Sequence, residues 1–578
     1  MPDASRSSSF PPFDRQALSE AGVFQVIGAG EIGGKGRGLA SVWRLLRDAF
    51  PPDQAADVTI NIPSVTVLAT DVFEQFMDSN NLWDIALTEN SDVRLGNTFM
   101  RADLSPLLVG DLHALVTRVH APLAVRSSSV LEDELNHPFA GTYATKMIPN
   151  SSPDASARFR ALVEAIKLVY ASTFFADAKR YQAAIGKSPR DERMAVLIQE
   201  VVGQRHGERY YPTISGVMRT FNDYAASAPE EGIVSLALGL GKTIVDGGLC
   251  WSYTPAAPHR AAPFAGARDM LQKTQAKFWS VHLGPPPAYD PLEEAEYLVS
   301  ADLEAAEYDG TLTHLAGVYD PAADRIRPGL ANPGPRVLNF APLLEYSDIP
   351  FNDTLVRLAQ VGRSALGQDV EIEFAATLGP EAGRPVRMGF LQIRPLRSAR
   401  EDVAVTDAEF ASPEALVATD AALGNAARDD LVDVIYVVPE RFEVARTPVI
   451  AAEVEELGRE AGRPYVLVGF GRWGSSDPWL GIPVTWPQIA GAAVIVEATR
   501  PDLDVEPSQG THFFHNLSSF GVPYLTVRHA ARDRIDFAWL AAQPATAEKT
   551  FVRHVRLPAP LRVRVDGRSR RGVILRPA

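Results

Sequence analysis

Residues 123–143 read LAVRSSSVLEDELNHPFAGTY. An apolar run delivers Arg126, and three hydroxyls follow it at Ser127, Ser128 and Ser129. A guanidinium can grip phosphate through two parallel hydrogen bonds, and hydroxyls add neutral donors. Taken alone, the stretch reads equally well as a surface loop. Upstream, Gly33-Gly34-Lys35-Gly36 combines backbone that can approach an anion closely with a point charge. That fits a flexible phosphate loop, and a plain turn into a helix is the alternative. Downstream, strand alternation puts Glu371 and Glu373 on one face, and Gln392 and Arg394 on one face of a second strand. Paired antiparallel, the two strands would present oxygen ligands suited to Mg²⁺ with a cation beside them. The other reading is two exposed faces with paired charges.

The chain has 578 residues, enough for two to four domains. Apolar residues make up 46% and charged residues 22%, as in ordinary globular proteins. No apolar run approaches the roughly 20 residues that span a bilayer, so no membrane association is expected. Residues 1–12 are polar, without an apolar run of signal-peptide type, and 1–20 are read as a disordered tail. A single cysteine, Cys250, excludes an internal disulfide framework and fits a reducing cytoplasm. The net charge of −15 argues against broad nucleic-acid binding. The C-terminal end reverses the trend, with Arg553, Arg556, Arg562, Arg564, Arg568, Arg570, Arg571 and Arg576 against Asp566. It reads as a hairpin turning at Asp566-Gly567, a type I′ signal, or as a surface for an anionic partner.

Along the chain, residues 23–50 read strand, glycine-rich turn, helix. Residues 58–68 are β-rich, and Asp71 is placed to cap the next helix. Residues 154–185 form one long amphipathic segment. Residues 255–345 look like connections with a hairpin. A helix at 353–366 precedes strands at 370–375 and 386–393. Few large apolar residues occur in 398–433, which reads as a linker. Strands at 465–470, 493–497 and 523–527 then alternate with helical runs, suggesting a compact α/β domain.

Gly28-Ala29-Gly30-Glu31-Ile32-Gly33 fits GxGxxG, but the next strand runs Ile60-Asn61-Ile62-Pro63, without the acid that would hold a ribose. A dinucleotide fold is therefore disfavoured. The stretch 236–243 (LALGLGKT) has Leu236 where a P-loop needs glycine.

In fixed order over about 23–397, GGKGRGLA, LAVRSSSVLEDELNHPFAGTY, ALVEAIKLVYASTFF, MAVLIQEVV, SGVMRT, LGLGKTIVDGG, DVEIEFA and LQIRPL resemble the N-terminal nucleotide-binding domain of pyruvate phosphate dikinase and phosphoenolpyruvate synthase. The resemblance implies an α/β protein with an ATP-grasp at 21–397, followed after the linker by a small swivelling phosphohistidine-like α/β domain at 434–578. It implies ATP and Mg²⁺, with Lys35, Gly34 and Arg126 at the phosphates and Gln199 near the adenine. Glu373 and Gln392 would hold the metal, and Arg394 the transferring phosphoryl group. One block departs from the family pattern: its GLGE reads Gly239-Leu240-Gly241-Lys242 here, reversing a charge that faces the ribose.

The second half resembles the family's phosphohistidine domain. His512 follows Gly510-Thr511, eight residues separate it from Gly521-Val522-Pro523, and IAGAAVIVEA lies upstream. His512 is the expected phospho-acceptor, with phosphate binding without transfer or a structural role as alternatives and His515 as the fallback. Only about 55 residues follow Pro523, too few for the family's TIM barrel, so pyruvate is not the expected acceptor. The order of domains is similar to that of rifampin phosphotransferases, without room for their large insert. The segment 469–479 (GFGRWGSSDPW) reads as an acceptor pocket or as a Trp-anchored structural loop. The expectation is a cytoplasmic, ATP-dependent phosphotransferase of dikinase type that passes a phosphoryl group through His512 to an unidentified acceptor, releasing AMP and phosphate. The alternative is a non-catalytic ATP-binding regulator. The sequence is silent on oligomeric state.

Overall fold

The computed structural model describes residues 10–15, 24–51, 57–130, 141–184, 187–222, 231–259, 264, 266–286, 288–346, 349–379, 386–396, 403–475, 477, 479–503, 517, 521–529 and 531–577. The N-terminal region is mixed α/β, built around two sheets. The first has five strands, four of them buried along nearly their whole length on both faces. It runs Phe24–Ile27, Val65–Leu68, Met194–Glu200, Leu123–Ser129, Thr145–Ile148. Within it, Leu123–Ser129 is β1 and Met194–Glu200 is β2; the two pair antiparallel, with Arg126 opposite Leu197. The second sheet has six strands and contains β3, Val370–Thr377, paired antiparallel to β4, Val386–Pro395. The helix α1, Gly33–Ala49, buries Leu39, Val42 and Leu46 and packs on β4 and the helix Phe351–Leu366. It also packs on β1 and β2 and so joins the two sheets. A Cβ at Gly38 would lie 2.6 Å from the Ile393 carbonyl oxygen, so only glycine permits that approach.

Several expectations change. The segment 154–185 is two helices, Ala155–Ser172 and Ala176–Ala184. The stretch 255–345 is more regular than its Pro and Gly content suggests. It holds Lys277–His282 and Leu298–Asp302 in a four-stranded sheet, and Ala316–Asp320 in a three-stranded one. Asp71 lies inside the first turn of the helix Thr70–Ser79 and does not cap it. Its carboxylate accepts the backbone N–H of Ala29 and of Gly30, each at 2.9 Å. Residues 415–433, expected within a linker, are strands: Ala415–Thr419, Ala422–Leu423 and the first part of β5, Ala426–Val437. Small Ala and Thr side chains conceal a buried strand from a reading based on large apolar residues.

These strands belong to a ten-stranded sheet in the C-terminal half. Its centre is parallel: β5, then β6 (Tyr465–Phe470), β7 (Ala492–Ala498) and β8 (Tyr524–Val527). The helix α2, Thr447–Ala461, connects β5 to β6 as a parallel pair requires. On the other side of β5 lies the hairpin Val552–Asp566 and Arg571–Leu575. Its turn takes four residues, not the two expected. Asp566 accepts the N–H groups of Arg568 and Ser569, and Arg570 has φ +59°. The arginines there are met by acids from neighbouring elements, including Arg564 with Asp429 and Arg571 with Asp407. That pairing favours the plain hairpin over an anionic partner.

The two halves touch. The helix Ala176–Ala184 lies against the 3₁₀ turn Trp486–Ile489, and Arg180 pairs with Glu455 at 2.9 Å. Tyr181, Trp486 and Ile489 fall in one continuous apolar cluster.

Candidate functional site

The β3–β4 ladder sets Glu371 opposite Arg394 and Glu373 opposite Gln392. The antiparallel pairing expected for these strands is therefore formed, and it fixes which charges meet. Glu371 is 1% exposed. It accepts from Arg394 Nε on one oxygen and from Arg219 Nε on the other, each at 2.7 Å. Burial alone would raise its pKa. The charges of Arg394 and Arg219 and their hydrogen bonds outweigh burial and hold the carboxyl below its ordinary range. Glu371 is thus spoken for, while Glu373 is the acid that opens on the cavity.

Arg126 ties the two sheets together. Its Nη2 donates to Gln392 Oε1 at 2.6 Å and to Glu373 Oε2 at 3.2 Å. Its Nη1 donates to Gln199 Oε1 and to the Leu391 carbonyl, both at 3.3 Å. The amide nitrogens of Gln199 and Gln392 are buried without a partner among the described residues. Buried polar atoms of this kind call for an explanation.

Lys35 stands in the first turn of α1, so the expected flexible phosphate loop is instead the start of a helix. Gly33 has φ +69°, and a Cβ there would lie 1.7 Å from the Ser128 carbonyl oxygen. The glycines serve this close approach. The serine hydroxyls, expected as phosphate donors, are engaged within the fold. Lys35 Nζ donates to the Ser127 carbonyl at 3.0 Å and to its Oγ at 3.2 Å. Ser128 Oγ accepts from Gly36 N–H at 3.1 Å and donates to the Ile32 carbonyl at 2.8 Å.

These groups border a cavity of about 580 Å³ between the two sheets. Lys35, Arg126, Gln199, Glu373 and Arg394 line it, whereas Gly34 and Gln392 are buried and do not. The apolar part of the lining includes Met147, Val201, Val202, Pro212, Leu240 and Leu298. A site with one apolar part and one cationic part suits a base joined to phosphates. Lys242 also lines the cavity, paired with Asp246 at 2.7 Å and lying 5.8 Å from the centre of the Trp279 ring. Glu294 lines it too. Surrounding protein raises its pKa, against the lowering effects of the Thr145 N–H and the Lys242 charge.

No group of three His, Cys, Asp or Glu side chains that could hold a metal occurs among the described residues. Mg²⁺ does not need one, since it is commonly bound by one or two protein oxygens with phosphate and water completing its shell. Glu373 and Gln392 supply two hard oxygens that already converge on one cation, Arg126. The donor set fits.

Sequence reading missed Arg219 and Glu294. Arg219 ends an apolar strand in SGVMRT and carried a signal; Glu294 reaches the cavity only through the fold. His512 and His515 lie outside the described residues, as do residues 131–140 of the stretch that opens with Arg126. No described helix is long and apolar enough to cross a membrane.

The family model described as "Pyruvate phosphate dikinase, AMP/ATP-binding domain" matches residues 29–413, more than half of the chain. The match takes in the second sheet, the first sheet except its edge strand Phe24–Ile27, and every cavity-lining residue named above, and it extends past the boundary expected at 397. With the cavity and the β3–β4 ladder inside the matched span, the chain is an ATP-binding member of the pyruvate phosphate dikinase family.

Proposed function

We propose that this protein is an ATP-dependent phosphotransferase that relays a phosphoryl group through His512 to an acceptor, releasing AMP and phosphate. One observation carries the reading: Lys35, Arg126 and Arg394 share a cavity wall with Glu373. Phosphoryl transfer is mostly a matter of positioning and charge neutralisation. Lys35 and Arg126 hold the phosphates, and Arg394, oriented by Glu371, faces the group in transit. Arg126 leaves its amide and carboxylate partners to do so, freeing Glu373 and Gln392 to serve as metal ligands. Bound there, Mg²⁺ would neutralise charge on the phosphate oxygens. Gln199 and residues 200–202 border the base.

The neutral imidazole of His512 forms an N–P bond at the β-phosphorus as the bond to the α-phosphate oxygen breaks, and AMP departs. Water takes the γ-phosphoryl group as phosphate. The acceptor's nucleophile then takes the β-phosphoryl group, and its proton goes to solvent. A histidine titrates near 6.5, so the nucleophilic form dominates at neutral pH. The C-terminal half would carry His512 between the two stations.

The test is incubation with Mg²⁺ and ATP labelled at the β-phosphate. Acid-labile, alkali-stable label on the chain, lost in His512→Ala and accompanied by AMP, is the expected result. ATP binding without any label would replace the relay by an ATP-responsive regulator.

A further inference from the structure

The segment Gly469 to Trp473 has no part in the chemistry above, yet its packing is tightly determined. Gly471 has φ +70°, and a Cβ at Gly469 would lie 2.3 Å from the Trp473 ring. A Cβ at Gly481 would lie 2.0 Å from the Arg472 carbonyl oxygen, so that glycine lets Gly481–Ile482 pair beside Arg472–Trp473. The glycines hold two side chains that point to different places. Trp473 is fully buried, and its Nε1 donates to the Val496 carbonyl of β7 at 3.1 Å. Arg472, also buried, crosses to the N-terminal half, where its Nη1 donates to the Gly247 carbonyl at 2.7 Å.

Gly247 closes the short helical turn Lys242–Val245, whose Gly241, Lys242, Val245 and Asp246 border the nucleotide cavity. The turn is held by Asp246 N–H to Lys242 at 2.9 Å, Gly247 N–H to Ile244 at 3.1 Å and Gly248 N–H to Thr243 at 2.8 Å. Its outward carbonyl goes to Arg472. A ligand filling the cavity lies against the wall that includes Lys242 and Asp246, five and one residues before Gly247, so it bears on the same turn that Arg472 grips.

We propose that Arg472 is a positioning residue that links nucleotide occupancy of the cavity to β7 of the C-terminal half. It acts through Gly247 on one side and through its neighbour Trp473 on the other. Such linkage is reciprocal: a nucleotide that favours the gripped turn favours docking of the C-terminal half, and docking tightens nucleotide binding by the same factor. The inference rests on ATP occupying the cavity and not on transfer through His512.

The test uses the full chain, with ATP affinity measured by calorimetry and amide exchange followed over 239–248 and 492–498, with and without ATP. In the wild type, ATP is expected to slow exchange in both segments. In Arg472→Gln, the ATP Kd is expected to rise about fivefold or more, and ATP no longer slows exchange at 492–498. Arg472→Lys, which keeps the charge without the fork, should restore part of both. Packing alone predicts faster exchange in the variant with unchanged Kd and intact protection at 492–498, and that outcome overturns the proposal. If Arg472→Gln does not fold, Arg472→Lys decides on the same readouts: weakened linkage supports it, and wild-type values of both overturn it. A wild type that binds no ATP would instead remove the nucleotide assignment itself, and this inference with it.

Discussion

Two buried carboxylates among basic side chains, one in each half, differ in what lies beyond them. Glu371 is enclosed by Arg219 and Arg394, and Arg394 opens on the cavity. Asp433 of β5 is enclosed by His554 Nε2 at 2.6 Å and Arg556 Nε at 2.8 Å, and none of these lines the cavity. The first arrangement aims a guanidinium; the second fastens one strand to the next. A buried ion cluster thus points to chemistry only where one member reaches a space that a ligand can enter.

Paired substitutions break this comparison most directly. Glu371→Gln leaves two buried guanidinium groups without their countercharge, and loss of one partner from a buried pair costs about 3–5 kcal/mol. A lower thermal midpoint and weaker ATP binding are expected together. Asp433→Asn should lower the midpoint as well but leave the ATP Kd unchanged; a changed Kd would erase the distinction. Next in size, Arg126→Ala removes charge-assisted bonds worth about 1.5–3 kcal/mol. Calorimetry should show ATP affinity falling by roughly tenfold or more, with fold stability changed less than in Glu371→Gln.

Acid should weaken the first cluster. The Glu371 carboxyl is held below its ordinary value, so its stabilisation is complete above the usual carboxylate pKa of about 4.3 and is lost as pH falls through the lower folded value. Thermal midpoints measured from pH 7 to pH 3 should drop at the acid end in the wild type, with a smaller drop there in Glu371→Gln. The smallest effect is expected from Lys242→Glu. The Lys242–Asp246 pair is partly exposed, and such pairs are worth about 0–1 kcal/mol. A change in ATP Kd beyond about tenfold would mean that the Lys242 charge pairs with the nucleotide directly, beyond its place in the cavity wall.

The parts of the site legible in the sequence are those that strand periodicity fixes. Alternation in 370–375 and 386–393 identified the faces of β3 and β4, while the antiparallel register comes from the fold. The glycines of 33–36 were legible as a need for close backbone approach, but not what approaches; Ser128 answers, not a phosphate. Local sequence cannot separate the two, because both require a bare backbone. The strands at 415–433 were missed because Ala, Thr and Asp carry little apolar signal while the sheet around them supplies the burial. Glu294 and Gly247 matter through neighbours far away in sequence, beyond the reach of any local pattern.

Asp71 carries a wider consequence. The loop that matches GxGxxG offers the amides of Ala29 and Gly30, as such a loop would to an anion, and the chain's own carboxylate receives them. Any free phosphate compound would have to compete with a tethered acid, whose effective concentration a dissolved metabolite does not match. The motif is a receptor occupied from birth by its own side chain, and its resemblance to a cofactor fingerprint is the mark of that internal ligand.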